Sequence, residues 1–195
     1  MGDPSSDTTS TSTDDDYIRT ASGNFVSRHA TLQGAHQVEL KGRSWFETGV
    51  TLRGDLAPIR VGRYNAIGTA TSIVPPPLLP SNDGNAAASE NAHVPVSIGA
   101  HTTIGTHCDI QAAAIGSYNC IGNHVTLGPR VILKDAVVVV DGTKIPADTV
   151  IPPFTRVSPG TPLELISLSP ATIPILQDAA LDNYHERVRV ASLRT

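Results

Sequence analysis

Seven histidines and two cysteines are the residues of this chain from which metal, acid–base or thiol chemistry could be assembled. Catalytic zinc needs three converging ligands and an open position for water. His101, His107 and His124 recur at related places, and His107 and His124 stand 17 residues apart. Such a pair can ligate a metal, but two neutral surface imidazoles are the simpler reading. His93 is the one histidine placed to act as a general base, and Glu90 is the only carboxylate near it. A solvated loop histidine accounts for it better. His29, His36 and His185 suggest no constellation. Cys108 and Cys120 admit at most one disulfide. Arg53-Gly54-Asp55 spells a cell-adhesion tripeptide, yet no secretion signal accompanies it, and a structural role is preferred.

The elements that must position these groups follow from a repeat of six. Ile115, Ile121, Leu127, Leu133, Val139, Ile145, Ile151 and Val157 succeed one another at intervals of six. About one residue in four here is Ile, Leu or Val, so eight such hits have a chance probability on the order of 10⁻⁵. Upstream the register continues through Ile98, Ile104 and Ile110, with a five-residue step from Ile110 to Ile115. Leu40, Phe46 and Leu52 precede Val61, Ile67 and Ile73, with Pro58 to Arg60 inserted between the two sets. Glycine often follows the aliphatic residue, as at Gly62, Gly99, Gly105 and Gly122, and is expected to take the turn conformation at a corner. Four places after the aliphatic stands a small or β-branched residue, among them Thr102, Cys108, Ala114, Val125, Val131 and Thr161.

A unit with one large and one small inward position, then a corner, is a short strand of a solenoid. Three units close a triangular coil of about 18 residues, and coils stack at roughly 4.8 Å. The spacing predicts an all-β parallel β-helix of six to seven coils. Cys108 then points inward, while Cys120 and the three repeat histidines point outward, with His107 and His124 stacked one coil apart. Solenoids must cap their terminal coils or join them to a partner, so at least one end is expected to bind.

Composition agrees: 4% aromatic and 16% charged residues, with 16 Gly and 15 Pro, suit a narrow interior with tight corners. Residues 1–16 hold five aspartates and no Lys or Arg, and read as a disordered acidic tail. Beyond them fourteen basic residues face thirteen acidic ones, which argues against nucleic acid as a partner. No apolar run approaches the roughly 18 residues of a membrane span. The expected organisation is the tail, a β-helix domain over 17–162 with a loop excursion at 75–95, and a C-terminal segment over 163–195. In that last segment Leu176, Ala180, Tyr184 and Val188 lie on one face of a short amphipathic helix beginning near Pro174. The chain reads as intracellular and reduced.

Two enzyme groups built on hexapeptide repeats deserve comparison, and their architecture implies a left-handed helix. Leu52-Arg53-Gly54-Asp55-Leu56, Ile59-Arg60-Val61-Gly62 and Ile67, with the short step before Ile115-Gly116, resemble the γ-class carbonic anhydrases. Aligned through these motifs, the three zinc-binding histidines of that group fall on Val74, Thr106 and Gln111, so the resemblance implies a lost metal site. It also implies that Arg53, Asp55 and Arg60 form salt bridges near subunit contacts. Hexapeptide acyltransferases place a general-base histidine in a loop, where His93 is the sole candidate. A homotrimeric zinc enzyme with displaced ligands, or such an acyltransferase, remains the alternative reading.

A more specific resemblance covers residues 17 to about 160. Tyr17-Ile18-Arg19-Thr20-Ala21-Ser22-Gly23-Asn24, Val26-Ser27-Arg28, Arg53-Gly54-Asp55-Leu56-Ala57 and Arg60-Val61-Gly62-Arg63 belong to it. So do Ala113-Ala114-Ile115-Gly116-Ser117-Tyr118, Val131-Ile132-Leu133-Lys134-Asp135 and Ile151-Pro152-Pro153-Phe154-Thr155. These stretches are similar to the dynactin subunit 5 family. The resemblance implies a non-catalytic subunit, without cofactor, of dynactin's pointed-end complex. Implied partners are a second β-helix subunit, an actin-related protein, a zinc-containing subunit and the cargo adaptors of dynein. It implies a cytoplasmic, cytoskeletal place linked to early endosomes, and a role in capping the filament and docking adaptors. The acidic tail and the length of the 75–95 excursion depart from the family pattern.

Overall fold

In a computed structural model, the structure describes residues 16–79 and 92–192. The expected disorder of the tail falls, but for Asp16, outside those residues, as does the tip of the excursion. The chain winds through six three-stranded coils. The first consists of β2 (Phe25–Ser27), β3 (Thr31–Gln33) and β4 (Val38–Gly42), preceded by β1 (Tyr17–Arg19), which lies antiparallel on β2. Then follow β5 (Trp45–Phe46), β6 (Thr51–Arg53) and β7 (Ile59–Arg63), and next β8 (Ala66–Ile67), β9 (Ser72–Ile73) and β10 (Val96–Ile98). The fourth coil is β11 (Thr103–Ile104), β12 (Asp109–Ile110) and β13 (Ala114–Ile115); the fifth is β14 (Cys120–Ile121), β15 (Thr126–Leu127) and β16 (Ile132–Leu133). The sixth, β17 (Val138–Val139), β18 (Lys144–Ile145) and β19 (Val150–Ile151), leads to β20 (Thr155–Ser158), on which β21 (Glu164–Ser167) folds back antiparallel. First, second and third strands of successive coils pair in parallel, giving three flat sheets. The result is the left-handed parallel β-helix expected, with one C-terminal helix.

Every aliphatic of the six-residue register from Phe46 to Val157 is buried, at 0–2% exposure. Leu40, in the first of the described coils, is only half-buried. Two small inward positions differ from expectation. In the five-residue step Ala112, not Ala114, turns inward, because the shortened corner shifts the phase. Thr161 is exposed, since the chain has left the coil path to form β21.

The glycines do a different job from the one anticipated. The residue with positive φ is the third after the aliphatic, and it is mostly not glycine: Tyr64, Ala70, His101, His107, Tyr118 and His124 all have φ of 54–60°. Each such residue costs about 1–2 kcal/mol in isolation. Each also donates its N–H to the preceding coil, as His107 does to Thr69 at 2.9 Å. Glycine directly after the aliphatic instead permits stacking, for a Cβ on Gly105 would lie 2.5 Å from the Gly122 carbonyl oxygen. A buried asparagine column satisfies other corner groups: Asn65 Oδ1 accepts from Thr102 N–H at 2.8 Å, and Asn119 Oδ1 from Val137 N–H at 2.7 Å.

Helix α1 (Thr172–Ser192) is 21 residues long, not short, and packs on the outer face of the nine-stranded sheet over its first coils. Ala180 is buried, the Tyr184 hydroxyl donates to the Gly23 carbonyl at 2.9 Å, and Arg187 pairs with Glu47. Tyr184 also meets Tyr64 edge-on, at the head of a stacked column in which Tyr64, His101 and Tyr118 follow at 5.1 and 5.4 Å. His101 is therefore a member of a ring stack and not a plain surface imidazole; its Nδ1 is buried without a hydrogen-bond partner among the described residues.

Two outcomes test this packing. Ile121→Ala should lower stability by about 2–5 kcal/mol in chemical denaturation, by transfer loss plus cavity. Burial, with a smaller push from Arg63, holds His101 below its ordinary pKa of 6.5. The unfolded chain thus takes up the proton first, so this stabilisation is complete above pH 6.5 and lost as pH falls through the folded value. His101→Phe, which Phe154 shows to be compatible with the same corner, should flatten the acid-side slope of Tm against pH.

Candidate functional site

The three places implied to have held zinc do not converge. Val74 N–H donates to the Ile110 carbonyl at 2.9 Å, so Val74 and Gln111 stand in adjacent coils at one corner. Thr106 sits at the opposite end of β12, where its hydroxyl donates to Asn123 Oδ1 at 3.1 Å. Gln111 Nε2 donates to Asp109 at 3.3 Å. Valine has no donor atom, and the other two polar groups are already engaged by neutral or acidic neighbours. These residues do not fit a catalytic zinc.

His107 and His124 stack as the 17-residue spacing suggested, with ring centroids 5.1 Å apart and planes at 20°. Among the described residues no three His, Cys, Asp or Glu groups come close enough to hold a metal ion. His93 lies at the foot of the excursion, in an antiparallel bridge with Pro77; Glu90 is outside the described residues. His29 and His36 are exposed in the first coil, and His185 is exposed on the C-terminal helix.

The thiols are separate and unpaired. Cys108 is inward, donating to the Gly122 carbonyl at 3.1 Å, and burial pushes its pKa up. Cys120 is half-buried on the outer face of the nine-stranded sheet, not fully outward, and burial raises its pKa also. A raised pKa leaves little thiolate for nucleophilic work.

The ion pairs give the surface its fixed features. Arg53 grips Asp55 through two bonds, 2.8 and 2.9 Å long, and this hydrogen bonding holds the Asp55 carboxyl below the usual carboxylate range. Arg60 meets Glu39 at 3.5 Å, with both side chains well exposed. The sequence reading passed over Arg130, which holds Asp148 at 2.6 and 2.7 Å and donates to the Pro77 carbonyl at 3.0 Å, pinning the excursion to the body. The signal was there, since Arg130 and Asp148 are 18 residues, one coil, apart. The same interval lets Asp135 accept from Ser117 N–H at 2.7 Å and Asp141 from Asn123 N–H at 2.9 Å. These contacts brace coils; none of them aims a reactive group into a pocket. Beside them a shallow groove of about 320 Å³, floored by Gly62 and Gly99, is flanked by Lys41, Arg60 and Arg63.

Comparison with known proteins accords with this braced rod. Among solved structures, two mutants of AntD, an N-acyltransferase from Bacillus cereus in complex with dTDP and Coenzyme A, are similar in fold. At 13% identity they give TM-scores of 0.61 and 0.59, covering 82% of this chain and 88% and 89% of theirs. That likeness shows the fold alone. A curated protein of Dictyostelium discoideum, Dynactin subunit 5, is 40% identical over 101 residues, 52% of this chain. The chain aligns with about half the length, 48%, of that relative. The family model described as Dynactin subunit 5 matches residues 10–190, so the chain belongs to the Dynactin subunit 5 family.

Proposed function

We propose that this chain is a non-catalytic structural subunit of the dynactin pointed-end complex. There it helps cap the actin-related filament and offers a docking surface to the cargo adaptors of dynein, including those serving early endosomes. Its neighbours are a second β-helix subunit, an actin-related protein and a zinc-containing subunit, in the cytoplasm and on the cytoskeleton. Arg53, Asp55 and Arg60 belong to its subunit-contact surface. The observation that carries this reading is the family match over residues 10–190, which extends past the repeat into its non-repetitive start and its C-terminal helix.

Physical features support the same role. A stack of coils tied by continuous ladders has few low-energy hinges and presents flat, durable faces. The two thiols have raised pKa values, and the positions aligned with zinc ligands hold valine, threonine and glutamine.

Affinity purification at native abundance is the test. The expected outcome is recovery with an actin-related protein and a second β-helix chain, and elemental analysis of the isolated chain showing far less than one zinc per chain. A homotrimer carrying stoichiometric zinc and hydrating CO₂ would overturn the proposal.

A further inference from the structure

Two corners of the coil carry a row of glycines, and the stacking of coils demands them. One row follows the third strands and runs Lys41, Gly62, Gly99, Gly116. The other follows the first strands and runs Glu47, Gly68, Gly105, Gly122. A Cβ on Gly62 would lie 2.5 Å from the Gly99 carbonyl oxygen, and one on Gly105 would lie 2.5 Å from that of Gly122. Glycine puts no side chain on the surface, and over Gly62 and Gly99 the groove of about 320 Å³ opens.

The two rows differ in what surrounds them. In the second, Glu47 accepts from Tyr17 at 2.7 Å and pairs with Arg187, while Asp141 takes the Asn123 N–H at 2.9 Å. Its charges are engaged by the chain itself. In the first, Lys41, Arg60 and Arg63 line the groove, with exposed Ser97 beside Arg60 in register. Glu39 meets Arg60 at 3.5 Å, but the two side chains are 58% and 62% exposed. That is a loose contact beside the bidentate grip of Arg130 on Asp148 at 2.6 and 2.7 Å. Among the described residues, Glu39 is the one carboxylate in ion-pair contact with any of the three cations. Three cations against one carboxylate leave an excess of two positive charges around a single hollow.

A phosphomonoester brings nearly two negative charges near pH 7 and three acceptor oxygens. Guanidinium forks and an ammonium suit that oxygen cluster, and a backbone floor lets it approach closely. A carboxylate brings one charge and answers half of the excess. A large apolar ligand finds little to hold it, because Val61 and Ile98 of the lining are buried, at 0% and 2% exposure. We propose that the groove over Gly62 and Gly99 is a binding site for a phosphoryl dianion, held by Lys41, Arg60 and Arg63. Its source is free phosphate or a phosphorylated serine or threonine of a partner that docks beside Arg60. The site goes beyond the scaffold role, and its test is read on the isolated full chain. Failure of the test leaves that role standing, and failure of the role leaves the test intact.

The test is calorimetric titration of the full chain with inorganic phosphate, and then with a short phosphoserine peptide and its glutamate counterpart. Saturable binding near one phosphate per chain is expected. Lys41→Ala/Arg63→Ala should weaken it by about tenfold or more, with the thermal transition retained. Glu39→Gln should tighten it by about threefold, a gain that misfolding cannot produce. Arg156→Ala, which removes an exposed cation from the nine-stranded sheet, should leave it unchanged. The phosphoserine peptide should bind at least about tenfold more tightly than the glutamate peptide. Tighter binding of the phosphoserine peptide than of inorganic phosphate supports a partner as the source, and the reverse supports free phosphate. Absence of saturation, equal weakening by Arg156→Ala, or equal affinity for the two peptides would overturn the proposal. Saturation that emerges only on deleting residues 2–15 would also overturn it, by assigning the groove to the acidic segment of the same chain.

Discussion

Successive coils lie one backbone spacing apart, and nearly every feature of the molecule answers to that closeness. Where Gly62 follows Val61, a Cβ would come within 2.5 Å of the Gly99 carbonyl oxygen. Where Gly122 follows Ile121, it would meet Asp141 Oδ1 at 2.1 Å. The aliphatic–glycine pair is thus one device: the first member fills the interior, and the second lets the next coil approach. Two residues on, the chain turns with a positive φ and returns an N–H to the coil behind. A corner costly in isolation is sustained because that hydrogen bond repeats at each turn.

The same geometry accounts for a polar interior in so narrow a rod. Corners leave backbone N–H groups facing inward, and an unpaired buried donor costs about 1–3 kcal/mol. Asn24, Asn65 and Asn119 place side-chain oxygens against Ser44, Thr102 and Val137 N–H groups. Thr71 and Cys108 instead donate to carbonyls of the following coil, Gly105 and Gly122. On the outside, Asp135, Asp141 and Asp148 reach one coil back in the same manner. Charge on the coils is consequently spent on bracing, and exposed pairs such as Arg60–Glu39 add little stability of their own.

For the scaffold role proposed above, these constraints have a functional sense. The face under α1 is occupied by the chain's own helix through Ala180, Tyr184 and Arg187. The other two sheets carry no helix among the described residues, and cations are concentrated in the first two coils. Residues 17–63 hold seven basic and three acidic side chains. A rigid triangular rod with one face covered by its own helix has distinguishable sides, which suits ordered assembly with unlike neighbours. Fold likeness to acyltransferases does not weigh against this, since it is carried by coil geometry and not by any reactive constellation.

The period of six by itself determined the coil, because a strand-and-corner unit imposes its spacing on the residues directly. Sequence was likewise enough to place Cys108 inside, to stack His107 on His124, and to set Leu176, Ala180, Tyr184 and Val188 on one helix face. It misassigned the glycines, since a corner residue and a residue under a neighbouring coil look alike until the coils are stacked. Ala112, Thr161 and His101 escaped it for related reasons: a shortened step, a reversed strand and a ring column are set by the coils above and below. Val74, Thr106 and Gln111 were legible as residues that cannot replace three imidazoles. That they stand at two different corners, and that Arg130 ties the excursion to the rod, only tertiary structure decided. Contacts one coil apart join residues 17 or more places apart in sequence, and the winding alone brings them together.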